Sequence, residues 1–180
     1  MTASNGLVVL GAGNAPNFRQ APICEGCGSC CKSYPGATTP EQWPSGREMA
    51  HAIAAALATG QWVVDYEDDD INPSGKRKRT CWVRPAMKGG TDKPYFIDGP
   101  SMHTARRECV FLDPTGCRLP RANRPQGCNS LKPMFTVFGY RCMPPKSMSM
   151  DGLALRWRPY QRQMRRAIAL CADTLEKKGL

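Results

Sequence analysis

The stretch Cys24-Glu25-Gly26-Cys27-Gly28-Ser29-Cys30-Cys31 decides how the chain is read, because it packs four thiols into eight residues. Core cysteines are usually scattered singly among aliphatic residues, so two C-x-x-C knuckles closed by a vicinal pair are not explained by packing. The run is a ligand set or a redox set. Gly26 and Gly28 favour ligation, since a loop wrapping a metal needs positive φ and close approach of backbone to sulfur. The spacing follows the logic of thiolate metal sites.

Three of these thiols, at i, i+3 and i+6, resemble the start of a bacterial ferredoxin motif. The resemblance ends at Tyr34-Pro35, where a ferredoxin has its fourth cysteine before proline. A four-thiolate shell here needs Cys31 or a ligand from far along the chain. The second cysteine-rich stretch, from Cys109 through Cys117 to Cys128, offers such ligands. Asp113-Pro114-Thr115-Gly116 is a turn signal, and a strand ending at Leu112 would place Cys109 and Cys117 on either side of a tight reversal.

C-x-x-C-x-x-C-C early, then Cys109-Val110-Phe111-Leu112, Gly116-Cys117 and Arg124-Pro125-Gln126-Gly127-Cys128, resembles the zinc- or iron-chelating cysteine-cluster family, the YkgJ-like proteins. The resemblance covers roughly residues 24–133 and includes the Cys30-Cys31-Lys32-Ser33-Tyr34-Pro35-Gly36 continuation. One departure is Asn129, where family members often carry arginine after the last cysteine. The resemblance implies metal chelation by Cys24, Cys27, Cys30, Cys31, Cys109, Cys117 and Cys128 and says little about a reaction.

The chain of 180 residues suits one domain, and a hydrophobic content of 41% permits a core. Its 16 prolines and 17 glycines favour an irregular, loop-rich fold in which metal supplies part of the stability. Ten cysteines without a secretory leader point to a reducing cytosol, hence a cytoplasmic protein. The apolar run Leu7-Val8-Val9-Leu10 is too short for a signal core or a membrane span. Charge is uneven: residues 1–75 carry 3 Lys/Arg against 8 Asp/Glu, and residues 76–180 carry 22 against 7. The basic half could draw nucleic acid or another polyanion, although bound thiolates would offset part of that charge.

Residues 1–23 read as a leader. Its Gly11-Ala12-Gly13-Asn14-Ala15-Pro16 lacks the third glycine and the helical periodicity of a dinucleotide-binding turn. Residues 24–150 form the cysteine-cluster domain, and residues 151–180 a C-terminal strand/helix segment packing on it. Thr39-Pro40-Glu41-Gln42 is a helix start with Gln42 in the capping-box position. A helix near 46–59 follows, with Met49, Ile53, Ala56 and Leu57 on one stripe and Gly60 as its stop. His51 lies off that stripe, at a solvated position.

Gln61–Glu67 and Cys81–Pro85 are rich in β-branched and aromatic residues and read as strands of a hairpin. Acidic residues 68–70 face basic residues 76–79 on its arms, with a hard-cation site or a phosphate-binding arm as the functional alternatives. Tyr95–Asp98 is a further short strand, and Met134–Tyr140 another. His103 is a candidate replacement ligand, and Arg106, Arg107 and Arg124 could balance thiolate charge. Cys142 is an eighth candidate ligand, whereas Cys81 and Cys171 lack ligand spacing. Cys171 falls on the stripe Tyr160, Met164, Ile168, Cys171, Leu175 of a helix near 159–178, whose other face carries Arg158, Arg162, Arg165 and Arg166.

The expected fold is therefore a small α+β domain of short strands and two main helices, stapled by a cysteine-ligated metal site. No Ser-His-Asp set, P-loop or paired-carboxylate arrangement assigns a catalytic residue. The readings that remain are a metal-binding protein holding zinc or an iron–sulfur cluster, a basic nucleic-acid- or partner-binding module in which metal is only structural, and a metal-dependent or redox enzyme component.

Overall fold

The structure is a computed structural model that describes residues 31–32, 36–68, 79–89, 108–136, 139–143 and 149–179. Within these, apolar periodicity builds helix α1 (Glu48–Leu57), which buries Met49, Ala50, Ile53, Ala54, Ala56 and Leu57. Gly60, at φ 70°, takes the chain out of the helix through the left-handed region that side chains disfavour. The expected stripe and stop are both present, and His51 is exposed.

Strands β1 (Trp62–Asp68) and β2 (Arg79–Pro85) pair antiparallel, with Trp62 opposite Pro85 and Asp68 opposite Arg79. The predicted hairpin is thus formed, and the acidic end of one arm meets the basic start of the other. The Arg79 guanidinium stacks on the Tyr66 ring at 4.4 Å from its centroid, a cation–π contact. Burial along β1 does not alternate: Trp62, Val63, Val64, Asp65 and Tyr66 are all buried. Both faces of the hairpin are therefore covered, which the sequence pattern did not distinguish from a half-exposed pair. Buried Asp65 accepts from the Arg84 Nε at 2.8 Å and from the Tyr66 N–H at 2.9 Å, while Arg84 also donates to the Pro85 carbonyl at 3.0 Å. Such a pair survives burial only because its remaining donors and acceptors are used.

Helix α3 (Met150–Trp157) starts on Ser149, whose hydroxyl accepts from the Gly152 N–H at 3.3 Å. That bond satisfies one of the amides a helix start leaves without an intrahelical partner. One 3₁₀ turn, Arg158–Tyr160, leads into helix α4 (Gln161–Glu176). The segment expected as strand/helix is helical from Met150, since Met150, Leu153, Ala154 and Trp157 recur at helical rather than alternating spacing. On α4 the buried positions are Gln161, Met164, Ala167 and Cys171, with Tyr160, Ile168 and Leu175 half-buried at the edges of the stripe. Arg158, Arg162, Arg165 and Arg166 are exposed, as expected. One apolar core joins α1, α3, α4 and the hairpin through Ile53, Leu57, Val64, Trp82, Trp157 and Met164.

The cysteine-bearing stretch is made of much shorter pieces. Strands β3 (Leu112–Asp113) and β4 (Gly116–Cys117) pair Leu112 with Cys117 across the expected reversal, though β3 begins rather than ends at Leu112. The Asp113 carboxylate accepts from the Thr115 N–H at 2.9 Å and from its hydroxyl at 2.7 Å, which holds the turn. A 3₁₀ turn, Arg121–Asn123, precedes the one-turn helix α2 (Gln126–Asn129). Strands β5 (Lys132–Thr136) and β6 (Gly139–Met143) then form a hairpin. That corrects the single strand expected over Met134–Tyr140, whose residues are divided between the two antiparallel strands, with Thr136 opposite Gly139. The helix expected from Thr39 is also shorter, a single 3₁₀ turn at Pro40–Gln42. Trp43 departs into extended backbone at φ -112° and ψ 153°, ending the turn before a second can form. The expected strand at 95–98 and most of the charged arms at 69–78 lie outside the described residues.

Candidate metal centre

The two cysteine stretches meet through backbone. The Cys109 N–H donates to the Cys31 carbonyl at 2.7 Å, so the end of the first run lies against the start of the second stretch. On its other side Cys109 bridges antiparallel to Met87, with Val110 N–H to the Ala86 carbonyl at 3.0 Å and Lys88 N–H to the Glu108 carbonyl at 2.8 Å. Residues 108–110 thus run between the first cysteine run and an extension of β2. Cys109 is buried, and Cys31 and Cys117 are half-buried against the apolar core.

Cys128 takes part in a second seam, with residues 36–37. The Gly127 N–H donates to the Ala37 carbonyl at 2.9 Å, and the Cys128 thiol points at the Gly36 carbonyl, 3.8 Å away. The approach requires glycine on both sides. A Cβ on Gly36 would lie 2.2 Å from the Cys128 nitrogen, and one on Gly127 would lie 2.6 Å from the Ala37 nitrogen. Neither distance can be relieved by a rotamer change, because both obstacles are backbone.

Immediately after Gly36 the chain is pinned to the packed core by Thr38. Its N–H and its hydroxyl both donate to the Val83 carbonyl, at 2.8 and 2.9 Å. The Trp43 Nε1 donates to the Thr38 hydroxyl at 3.1 Å, and the Trp157 Nε1 to the Thr38 carbonyl at 2.9 Å. Asn129, at the place where the family resemblance expects arginine, donates through Nδ2 to the Arg121 and Arg124 carbonyls at 3.1 and 3.3 Å. Arg124 in turn donates Nε to the Leu119 carbonyl at 3.0 Å, so at least this part of the guanidinium serves the loop rather than a thiolate.

Of the expected ligands, Cys31, Cys109 and Cys128 are brought into these seams, and Cys117 sits on β4 opposite Leu112. Cys142 lies on β6 opposite Pro133. Cys24, Cys27 and Cys30 lie outside the described residues, as do His103, Arg106 and Arg107. Among the described residues no group of three or more His, Cys, Asp or Glu side chains is close enough to hold a metal ion. The expected complete metal staple is therefore not seen within them.

The two cysteines set aside from ligation behave as buried thiols. Burial pushes the Cys81 thiol up to about 11, and Cys171, which is fully buried, is raised by the same cause, because an apolar surrounding disfavours the charged form. Neither offers a thiolate near neutral pH. The residues that sequence reasoning missed are Gly36, Gly127 and Thr38. Pro35-Gly36 and Gln126-Gly127 are visible as local turn signals, but nothing in the linear sequence says that they face each other. No helix among the described residues is long and apolar enough to cross a membrane. Compared with protein-family models, curated proteins and solved structures, the chain finds no match in any of the three.

Proposed function

We propose that the chain is a metal-binding protein that holds zinc or an iron–sulfur cluster through thiolates of Cys24, Cys27, Cys30, Cys31, Cys109, Cys117 and Cys128, with Cys142 as an eighth candidate. The observation that carries this reading is the hydrogen bond from the Cys109 N–H to the Cys31 carbonyl, 2.7 Å, between cysteine stretches remote in sequence. The close approach of Gly36 and Gly127, which sets the Cys128 thiol at the Gly36 carbonyl five residues past Cys31, supports it. The donor chemistry also fits: soft thiolates select zinc or iron–sulfur clusters over hard cations. Seven or eight thiolates exceed one four-ligand shell, so the reading implies two sites or one polynuclear cluster.

Elemental analysis of anaerobically purified protein, with its visible spectrum, tests the reading. Zinc or iron bound at one or more equivalents, lost when Cys27 or Cys117 is changed to serine, is the expected result. Protein that purifies without metal and takes up neither zinc nor iron and sulfide overturns it. A second reading, a basic module binding polyanions, rests on the exposed arginines of α4 and on Arg79 at the start of β2. It would displace the first if nucleic-acid affinity proved sub-micromolar and sequence-dependent at physiological salt, since nonspecific binding is typically about 10⁻⁴ to 10⁻⁶ M.

A further inference from the structure

Gln42 occupies the capping-box position of the Pro40–Gln42 turn, and its Oε1 accepts from the Thr39 N–H at 3.2 Å, as that motif requires. A local cap would end there. The same Oε1 also accepts from the Gln126 N–H at 2.7 Å, and the Nε2 donates to the Arg124 carbonyl at 3.0 Å, partners 84 and 82 residues away. Both amide atoms of one side chain thus bracket Pro125, the residue that immediately precedes α2. Gln126 is followed at once by Gly127 and Cys128, the residues that form the seam with Gly36 and Ala37.

We infer that Gln42 is a positioning residue for Cys128, a clamp that fixes the Arg124–Gln126 backbone so that the Cys128 thiol is held at the Gly36 carbonyl. The inference rests on the metal-binding reading for its consequence, but the clamp itself is a statement about geometry. Gln42 bonds only to backbone across the gap, so its effect reaches the thiol through the rigid one-turn helix. Three hydrogen bonds converge on it from two segments, and the amide is the side chain that both donates and accepts from one planar head. Glutamate at this position keeps the two accepted bonds and loses the donated one; leucine keeps the volume and loses all three.

The test uses the full chain as wild type, Gln42→Leu and Gln42→Glu. In the reduced, metal-free state each cysteine is labelled with iodoacetamide and read by mass spectrometry. Cys128 labelling should rise by about fivefold or more in Gln42→Leu, as lost hydrogen bonds free the loop. Gln42→Glu should lie between it and wild type, and fully buried Cys171 should stay protected in all three. Competition with a chromophoric chelator for zinc alone should then show affinity falling by about tenfold or more in Gln42→Leu, the usual size of a loss of ligand support. Unchanged Cys128 labelling overturns the inference, and so does parallel labelling of Cys171, which would make Gln42 a general stability residue. If wild type binds no zinc while Cys128 labelling still responds to Gln42, the clamp stands and the metal-binding reading loses its zinc form.

Discussion

The half of the molecule built from α1, the β1–β2 hairpin, α3 and α4 is held by interlocked side chains, whereas the half that carries Cys109, Cys117 and Cys128 joins that core through Cys109, Phe111, Leu112 and Leu119 and takes much of its remaining order from hydrogen bonds to distant backbone. In the first, Ile53, Leu57, Val64, Trp82, Trp157 and Met164 are all 0% exposed and interlock in one core. In the second, the elements are two to five residues long, and their order comes from carbonyls and amides of distant segments. Apolar burial tolerates modest change of shape, while a seam of backbone hydrogen bonds between glycines tolerates almost none. The cysteine half is therefore the more exacting of the two and the less able to stand alone.

On the proposed metal-binding reading, the sharpest way to break this contrast is removal of metal. Where thiolate ligation and folding are coupled, apparent binding energies are on the order of 10 kcal/mol. Chelation, or Cys117→Ser, should open residues 108–119 to amide exchange while α1 and α4 keep their protection. Simultaneous loss of protection in both halves would show that they are one cooperative unit. In the packed half, Asp65→Ala should cost about 3–5 kcal/mol, because it leaves the buried Arg84 guanidinium without its carboxylate. Urea unfolding measures it, and a midpoint near wild type would mean that the pair contributes little to the hairpin. Gly127→Ala should cost about 1–3 kcal/mol through overpacking of backbone against Ala37, with the loss of exchange protection centred on residues 36–37 and 126–128. A spread into α1 would count against a local seam.

The smallest effect is a pH dependence. The folded Cys81 thiol is raised to about 11 from an ordinary value of 9.0, so the folded chain keeps its proton where the unfolded chain has begun to lose it. Its contribution to stability is full below pH 9 and declines as pH rises from there toward 11. Thermal melting between pH 8 and 10.5 should show a decline that Cys81→Ala flattens; an identical slope in the variant would assign the decline to other groups.

The packed half was largely legible in the sequence because its signals are local and periodic. The stripe Met49, Ile53, Ala56, Leu57 with Gly60 behind it, the β-branched and aromatic arms of the hairpin, and the Met164–Cys171 stripe each announce an element over a few turns. Asp65 and Arg84 were not, since strand alternation assigns faces but cannot say that both faces are covered. The architecture of the cysteine half was much less legible. Spacing of thiols proposed a grouping, yet the described contacts in this half are made by Cys31 with Cys109 and by Gly36, Gly127 and Gln42, whose partners lie far away in sequence. Gln42 was read as half of a cap because the near partner, Thr39, is visible in the sequence and the far ones are not.

Thr38 sets an order of events during synthesis. Its carbonyl receives the Trp157 indole from 119 residues downstream, and its amide and hydroxyl wait on Val83, 45 residues away. The ribosome therefore delivers the first cysteine run long before the seat of the segment that follows it is complete, and such distant closures come late in folding. Throughout that interval the seat of Thr38 is unfinished, so the segment it anchors gains its last partner only once α3 has emerged.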